Sequence, residues 1–297
     1  MKLDISQAKA EFDKYAIIIA PPRTGSNNLS FMLHIQDNFF AFSERVNPGW
    51  VWFHDCMGNA AGKQSSLPEA NLISKLQSAK TLVWKKNSEK IKLSPEDEGA
   101  VICDGESHWL NMIDKITHLN TMLILHFRHP ALVFRSCAKM HSRTGEEEWN
   151  LSPAEVVEFF INQFRAINLG WTNSNLASPI TPTFQEDFIR YPAKSLEKLL
   201  YHLCPSVPSK LNEPEEHLME NYGKNAMNVR GYGYYNPLRK VSVYDEFINL
   251  DTELKLHDID FIDEISKRVQ RELKLNNGIT TVLDMFVNHY RDIENLL

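Results

Sequence analysis

The chain has 297 residues, 43% of them hydrophobic and 24% charged, enough to bury a sizeable core. The formal net charge is −6, so there is no global basic field for nucleic acid, no nucleic-acid partner is expected, and an anionic ligand has to be held by a local site. No run reaches the roughly 18 apolar residues of a membrane span. The start, MKLDISQAKAEFDKY, lacks the apolar core of a signal peptide. The four cysteines, Cys56, Cys103, Cys137 and Cys204, are widely spaced and form no C-x-x-C pair. That usage fits a reducing compartment, and a cytoplasmic location is expected.

In chain order, the apolar run 15–20 reads as a strand buried on both faces of a parallel sheet. It stops at Pro21-Pro22 and a Gly-Ser-Asn cluster, after which Leu29, Met32 and Leu33 recur at helical spacing. Further strands are expected at Thr81–Lys85, Ala100–Asp104 and Thr121–Phe127. A helix follows from Ala131 to about His141, and a second opens at Ser152-Pro153-Ala154-Glu155, where Ser can cap, Pro suits the first turn and Glu stands third. A weak strand at Ile180–Phe184 precedes a helix over Ala193–Cys204. Residues 205–250 are rich in Pro, Asn, Gly and Tyr and read as one irregular segment. Two helices, about Asp258–Leu275 and Thr280–Leu297, end the chain and offer a surface for a homodimer. Strands alternating with helices predict a three-layer α/β fold, a mostly parallel sheet with helices on both faces. Neither a repeat nor a domain boundary is visible, so residues 1–297 read as one domain.

In such sheets ligands bind at the carboxyl ends of strands. A Gly-containing loop that opens a helix there presents backbone N–H groups and a helix dipole to an anion. Arg23 adds a permanent charge with a planar donor fork. Thr24, Ser26, Asn27 and Asn28 add neutral donors around Gly25. The nucleoside-triphosphatase loop needs G-x-x-x-x-G-K-[ST]. This loop has one Gly and no Lys, and the strand Thr121–Phe127 runs into Arg128 where a Mg²⁺-binding Asp would be expected. A nucleotide-dependent kinase on the same core is therefore the alternative, and a non-catalytic nucleotide-binding protein is a third reading.

Pro22-Arg23-Thr24-Gly25-Ser26-Asn27-Asn28-Leu29 resembles the 5′-phosphosulfate loop of sulfotransferases, P-[RK]-[ST]-G-[ST]-T-x-L, with Asn27 in place of the usual Thr. Leu125-His126-Phe127-Arg128 through Ser136 resembles the family's 3′-phosphate motif, in which an Arg and a Ser eight positions later bind that phosphate. Thr183-Phe184-Gln185-Glu186-Asp187-Phe188 looks like the Y-E-D-L segment, with Gln185 where a Tyr often touches adenine. Asn228-Val229-Arg230-Gly231-Tyr232-Gly233 is similar to the late basic-Gly segment that closes over the donor.

The resemblance implies the P-loop-like sulfotransferase fold, nearest to bacterial carbohydrate and small-molecule enzymes. It implies 3′-phosphoadenosine 5′-phosphosulfate as co-substrate, in-line transfer to a hydroxyl or amine of a small-molecule or sugar acceptor, and no metal. Arg23, Thr24, Gly25, Ser26, Asn27, Asn28, Arg128, Ser136, Arg230 and Gly231 would hold the donor. Arg23 would also neutralise charge on the leaving phosphate. The general base is left among Glu44, shortly after the first helix, and Glu106, His108 and His54. Each also reads as an ordinary loop side chain. Lys85 and Lys86 end another strand at the same edge, and Trp50, Trp52, Phe53, Tyr232, Tyr234 and Tyr235 are aromatic candidates for an acceptor pocket.

Overall fold

The computed structural model describes residues 13–34, 36–43, 74, 76–87, 91–93, 101–103, 121–174, 180–203, 211 and 243–297. Its centre is a five-stranded sheet built from β1 (Lys14–Ala20), β2 (Phe39–Ser43), β3 (Thr81–Asn87), β6 (Thr121–Phe127) and β7 (Ile180–Phe184). The order is β2-β3-β1-β6-β7, and every neighbouring pair is parallel. Two further strands among the described residues, β4 (Ile91–Leu93) and β5 (Val101–Cys103), pair antiparallel in a separate sheet.

Side chains of a strand alternate between faces, and β1 shows what this does to an unbroken apolar run. Ile17 and Ile19 enter one buried cluster, whereas Ala16, Ile18 and Ala20 enter another. The first cluster is closed by α2 (Pro130–Thr144), α3 (Pro153–Ser174), α7 (Phe261–Glu272) and α8 (Asn277–Glu294). Phe127 of β6 anchors it, stacked on Phe164 and Phe184 and tilted against Phe286 at 5.1 Å. The second cluster is closed by Leu29 and Leu33 of α1 (Ser26–His34) and by Leu196, Leu199 and Leu200 of α5 (Pro192–Leu203). Both faces of the sheet are therefore covered, which is why its central strands carry no polar alternation.

Helix ends follow the local chemistry. Ser152 N–H and Oγ–H both donate to Glu155 Oε2, at 2.7 and 2.8 Å, while Ser152 Oγ accepts from the Glu155 N–H. This is the reciprocal cap expected of that tetrapeptide. At α2, Pro130 takes the first turn and His129 Nδ1 accepts from the Ala131 N–H. Gly145 closes the same helix with φ 67°, a conformation that favours glycine.

Three differences from the sequence reading have physical reasons. Phe39–Ser43 is an edge strand, although five residues without polar alternation carry no period to reveal it. The strand expected at Ala100–Asp104 is Val101–Cys103 and lies outside the main sheet. Only residues 94–100 separate it from β4, too few for a parallel crossover, which takes about a dozen. The segment 205–250 is not irregular throughout, because α6 (Val243–Leu256) begins inside it, with Val243, Phe247, Leu250 and Leu254 at helical spacing. The short α4 (Gln185–Arg190) also follows β7 without a break. Cys137 is a buried free thiol. No helix among the described residues is long and apolar enough to cross a membrane.

Candidate active site

The chain leaves β1 toward β2 on one side and leaves β6 toward β7 on the other, although β1 and β6 are neighbours. Where connections from adjacent parallel strands diverge, a crevice opens at their carboxyl ends. The two segments singled out in the sequence, 21–28 and 128–136, both emerge there.

Proline ends β1 because it has no N–H for the ladder. The loop then turns back on itself. The buried Thr24 hydroxyl donates to Pro21 O at 2.8 Å, and Arg23 and Gly25 both take positive φ, 65° and 86°. A left-handed conformation is uncommon for a residue with a Cβ, and it recurs where surrounding contacts enforce it. Here Arg128 Nη1 donates to the Arg23 carbonyl at 3.1 Å. Gly25 O accepts from the Leu29 N–H at 3.2 Å and starts α1. The N–H groups of Ser26, Asn27 and Asn28 consequently stand in the first turn, with no partner within the helix. Positive dipole and donors together suit an anion at this end.

Arg23 reaches across to α2. Its Nε donates to Ser136 Oγ at 3.2 Å, a contact between residues 113 apart in sequence. The indole of Trp149 lies 5.8 Å from its Cζ, within cation–π range, and Trp149 Nε1 donates to Glu146 Oε2 at 3.0 Å. Arg23 from one motif, and Arg128 and Ser136 from the other, thus form one hydrogen-bonded cluster. The Thr24 hydroxyl, bonded to Pro21 O, shapes the loop from inside. Lys85 and Lys86, expected to end a strand here, stand in register beside Ile18 and Ile19 within β3, which runs on to Asn87. Ser43 pairs with Lys85 at the end of β2. Glu44, His54, Glu106, His108, Arg230 and Gly231 lie outside the described residues, as do the aromatic candidates at 50–53 and 232–235.

Several contributors had been given no site role from the sequence. Gln185 packs its amide flat on Gly25, so that a Cβ at position 25 would sit 2.5 Å from Gln185 Cδ. Gln185 Oε1 is 3.1 Å from His126 Nε2, and His126 Nδ1 is 3.0 Å from Thr183 Oγ1. Side chains from the ends of β6 and β7 therefore back the loop that follows β1. Glu186 accepts from the His129 N–H at 2.9 Å and from the Tyr290 hydroxyl at 3.2 Å. His129 is wholly buried, and burial pushes its pKa below the usual value despite the hydrogen bond to Glu294. With Nδ1 accepting from Ala131, Nε2 carries the proton and donates to Glu294 Oε1 at 3.1 Å. Burial opposes ionisation of Glu294, but its bonds from His129 and Arg291 hold its carboxyl below the ordinary range. Gln185 and Glu186 were marked in the sequence only by the Thr183–Phe188 resemblance; their position, directly after β7 at the edge where the other segments emerge, is a second signal. Trp149 carries no such signal. Among the described residues, no group of three or more His, Cys, Asp or Glu is placed to hold a metal ion.

No protein-family model matches the chain, and no curated protein matches it. Among solved structures it is similar to the sulfotransferase domain from the curacin biosynthetic pathway, at 18% identity over 91% of this chain and 96% of that one, with a TM-score of 0.43. It is also similar to the sulfotransferase domain of the Synechococcus PCC 7002 olefin synthase, at 15% identity over 95% of each chain and a TM-score of 0.39. A mouse sulfotransferase complexed with PAP matches at 11% identity over 93% of this chain and 92% of that one, with a TM-score of 0.37.

Proposed function

We propose that the chain is a sulfotransferase that moves a sulfuryl group from 3′-phosphoadenosine 5′-phosphosulfate to a hydroxyl or amine of a small-molecule or sugar acceptor. The observation that carries this reading is the convergence of Arg23, Arg128 and Ser136 through hydrogen bonds of 3.1 and 3.2 Å at one sheet edge. A helix N-terminus with its own arginine suits one phosphoryl or sulfuryl group. The second arginine and a serine two turns down the neighbouring helix suit another. A nucleotide with phosphates at both 5′ and 3′ positions has groups to engage both.

In this scheme the 5′-phosphosulfate sits against the N–H groups of residues 25–28. The acceptor oxygen or nitrogen attacks sulfur, the bond from sulfur to the bridging oxygen breaks, and the electron pair stays on the 5′-phosphate. Arg23 and the N–H groups oppose that growing charge. The acceptor proton goes to a base, for which Glu44, next in chain after β2, is the first candidate. Arg230 and Gly231 are assigned to the closing segment by the motif alone. The charge is spread over non-bridging oxygens, as in phosphoryl transfer, so positioning and electrostatics supply most of the catalysis.

Titration of the purified chain with adenosine 3′,5′-bisphosphate and with AMP tests the reading. A clear preference for the bisphosphate, lost in Arg128→Ala, is expected. Equal affinity for the two nucleotides refutes the 3′-phosphate assignment, and Mg²⁺-dependent ATP turnover refutes the sulfotransferase reading itself.

A further inference from the structure

Arg128 is useful to a phosphate only if its backbone is held so that the guanidinium leaves the end of β6 in the right direction. The residue that does the holding is Glu186. It stands in the first turn of α4, just after β7, is buried, and uses both carboxylate oxygens as acceptors. Oε1 takes the N–H of His129, the residue next to Arg128, at 2.9 Å. Oε2 takes the Tyr290 hydroxyl at 3.2 Å, from α8. Tyr290 is wholly buried, and burial together with the nearby Glu186 raises its pKa well above the ordinary phenol value, so it remains a donor. A second tie runs from the His129 ring to Glu294, which Arg291 holds at 2.7 Å while also holding Asp260 at 2.6 Å. The turn between β6 and α2 is thus fastened twice to the last helix of the chain.

This arrangement has a chemical consequence. The N–H groups before a helix are natural partners for an anion. At α2 the protein's own carboxylate already takes the N–H of His129. A phosphate arriving at this edge turns to the side chains of Arg128 and Ser136.

We infer that Glu186, held by Tyr290, is a positioning residue for Arg128, and that α8 thereby governs how strongly the site selects a nucleotide carrying a 3′-phosphate. The inference rests on the donor assignment made under Proposed function. Its test uses the full chain and four proteins: wild type, Glu186→Gln, Glu186→Ala and Tyr290→Phe. Affinities for adenosine 3′,5′-bisphosphate and for AMP are measured by calorimetry, and the melting temperature is measured alongside.

Loss of a hydrogen bond to a charged group should reduce the bisphosphate-to-AMP affinity ratio by about tenfold or more in Glu186→Ala. Tyr290→Phe should lower it about threefold to tenfold while keeping the ring packing. Glu186→Gln retains an oxygen for the His129 N–H and should keep most of the ratio. A lower melting temperature with the ratio unchanged in Glu186→Ala and Tyr290→Phe means that Glu186 only supports the fold, and overturns the inference. Should Glu186→Ala fail to fold, the ratio in Tyr290→Phe decides by the same criterion. A wild-type protein with no preference for the bisphosphate removes the donor assignment first, and the positioning role with it.

Discussion

An alanine at position 25 meets two separate obstacles. Gly25 has φ 86°, where a residue with a Cβ costs about 1–2 kcal/mol. The added Cβ would also lie 2.5 Å from both Cδ and Oε1 of Gln185. Ordinary carbon contacts are near 3.5–4 Å, so the amide has to retreat by about 1 Å. Gln185 is a flexible side chain, but its retreat strains or breaks the 3.1 Å contact with His126. Overpacking of this kind costs about 1–3 kcal/mol, which brings the expected loss for Gly25→Ala to about 2–5 kcal/mol. Urea unfolding measures it. The same change made in a Gln185→Ala background meets only the backbone obstacle, so the two substitutions should couple by about 1–3 kcal/mol. An equal cost in both backgrounds would show that Gln185 does not abut the loop. A cost within about 0.5 kcal/mol of zero in either background, the range of ordinary surface changes, would refute the left-handed geometry at Gly25.

Other consequences are simpler to check. Ser152→Ala removes the hydroxyl that joins Glu155 at the start of α3 and should cost about 1 kcal/mol in urea unfolding. His129 is held neutral by burial, below its ordinary pKa of 6.5, and His289 is shifted the same way. The unfolded chain therefore takes up these protons first, so stability falls as pH drops below 6.5, and the lowered carboxyl of Glu294 adds to the loss at pH values below its ordinary 4.5. His129→Asn, which can still cap α2, should flatten the fall in melting temperature between about pH 6.5 and 5; an unchanged slope contradicts the assignment. If Glu44 is the base, Glu44→Gln keeps nucleotide affinity in calorimetry and lowers sulfuryl transfer by roughly 10²–10⁴-fold, whereas near-normal turnover moves the role to Glu106, His108 or His54.

The sequence alone determined the parts that depend on near neighbours. The isoleucine run of β1 declared a strand buried on both faces, and the structure sends Ile17 and Ile19 one way and Ile18 the other. Pro21-Pro22 and Gly25 marked where that strand stops and a helix starts, and Ser152 with Glu155 marked the start of α3. The spacing of Arg128 and Ser136 put a charge at a strand end and a hydroxyl two turns into the next helix. Such features are written in residue type and period, over stretches short enough for the chain itself to encode. Only the tertiary structure decided which stretches meet. Strand order set β1 beside β6 and made Arg23 a neighbour of Ser136, 113 residues away. It turned Gln185, notable in the sequence for the Tyr it replaces, into the surface on which Gly25 rests. It turned the Thr24 hydroxyl inward, brought Trp149 over Arg23, and tied Glu186 to Tyr290 from the far end of the chain. These contacts join residues whose separation carries no period, and the crossovers that bring them together are set by how whole layers pack. The edge strand β2 falls between the two cases, since five residues are too few for a pattern and pairing with β3 makes them a strand.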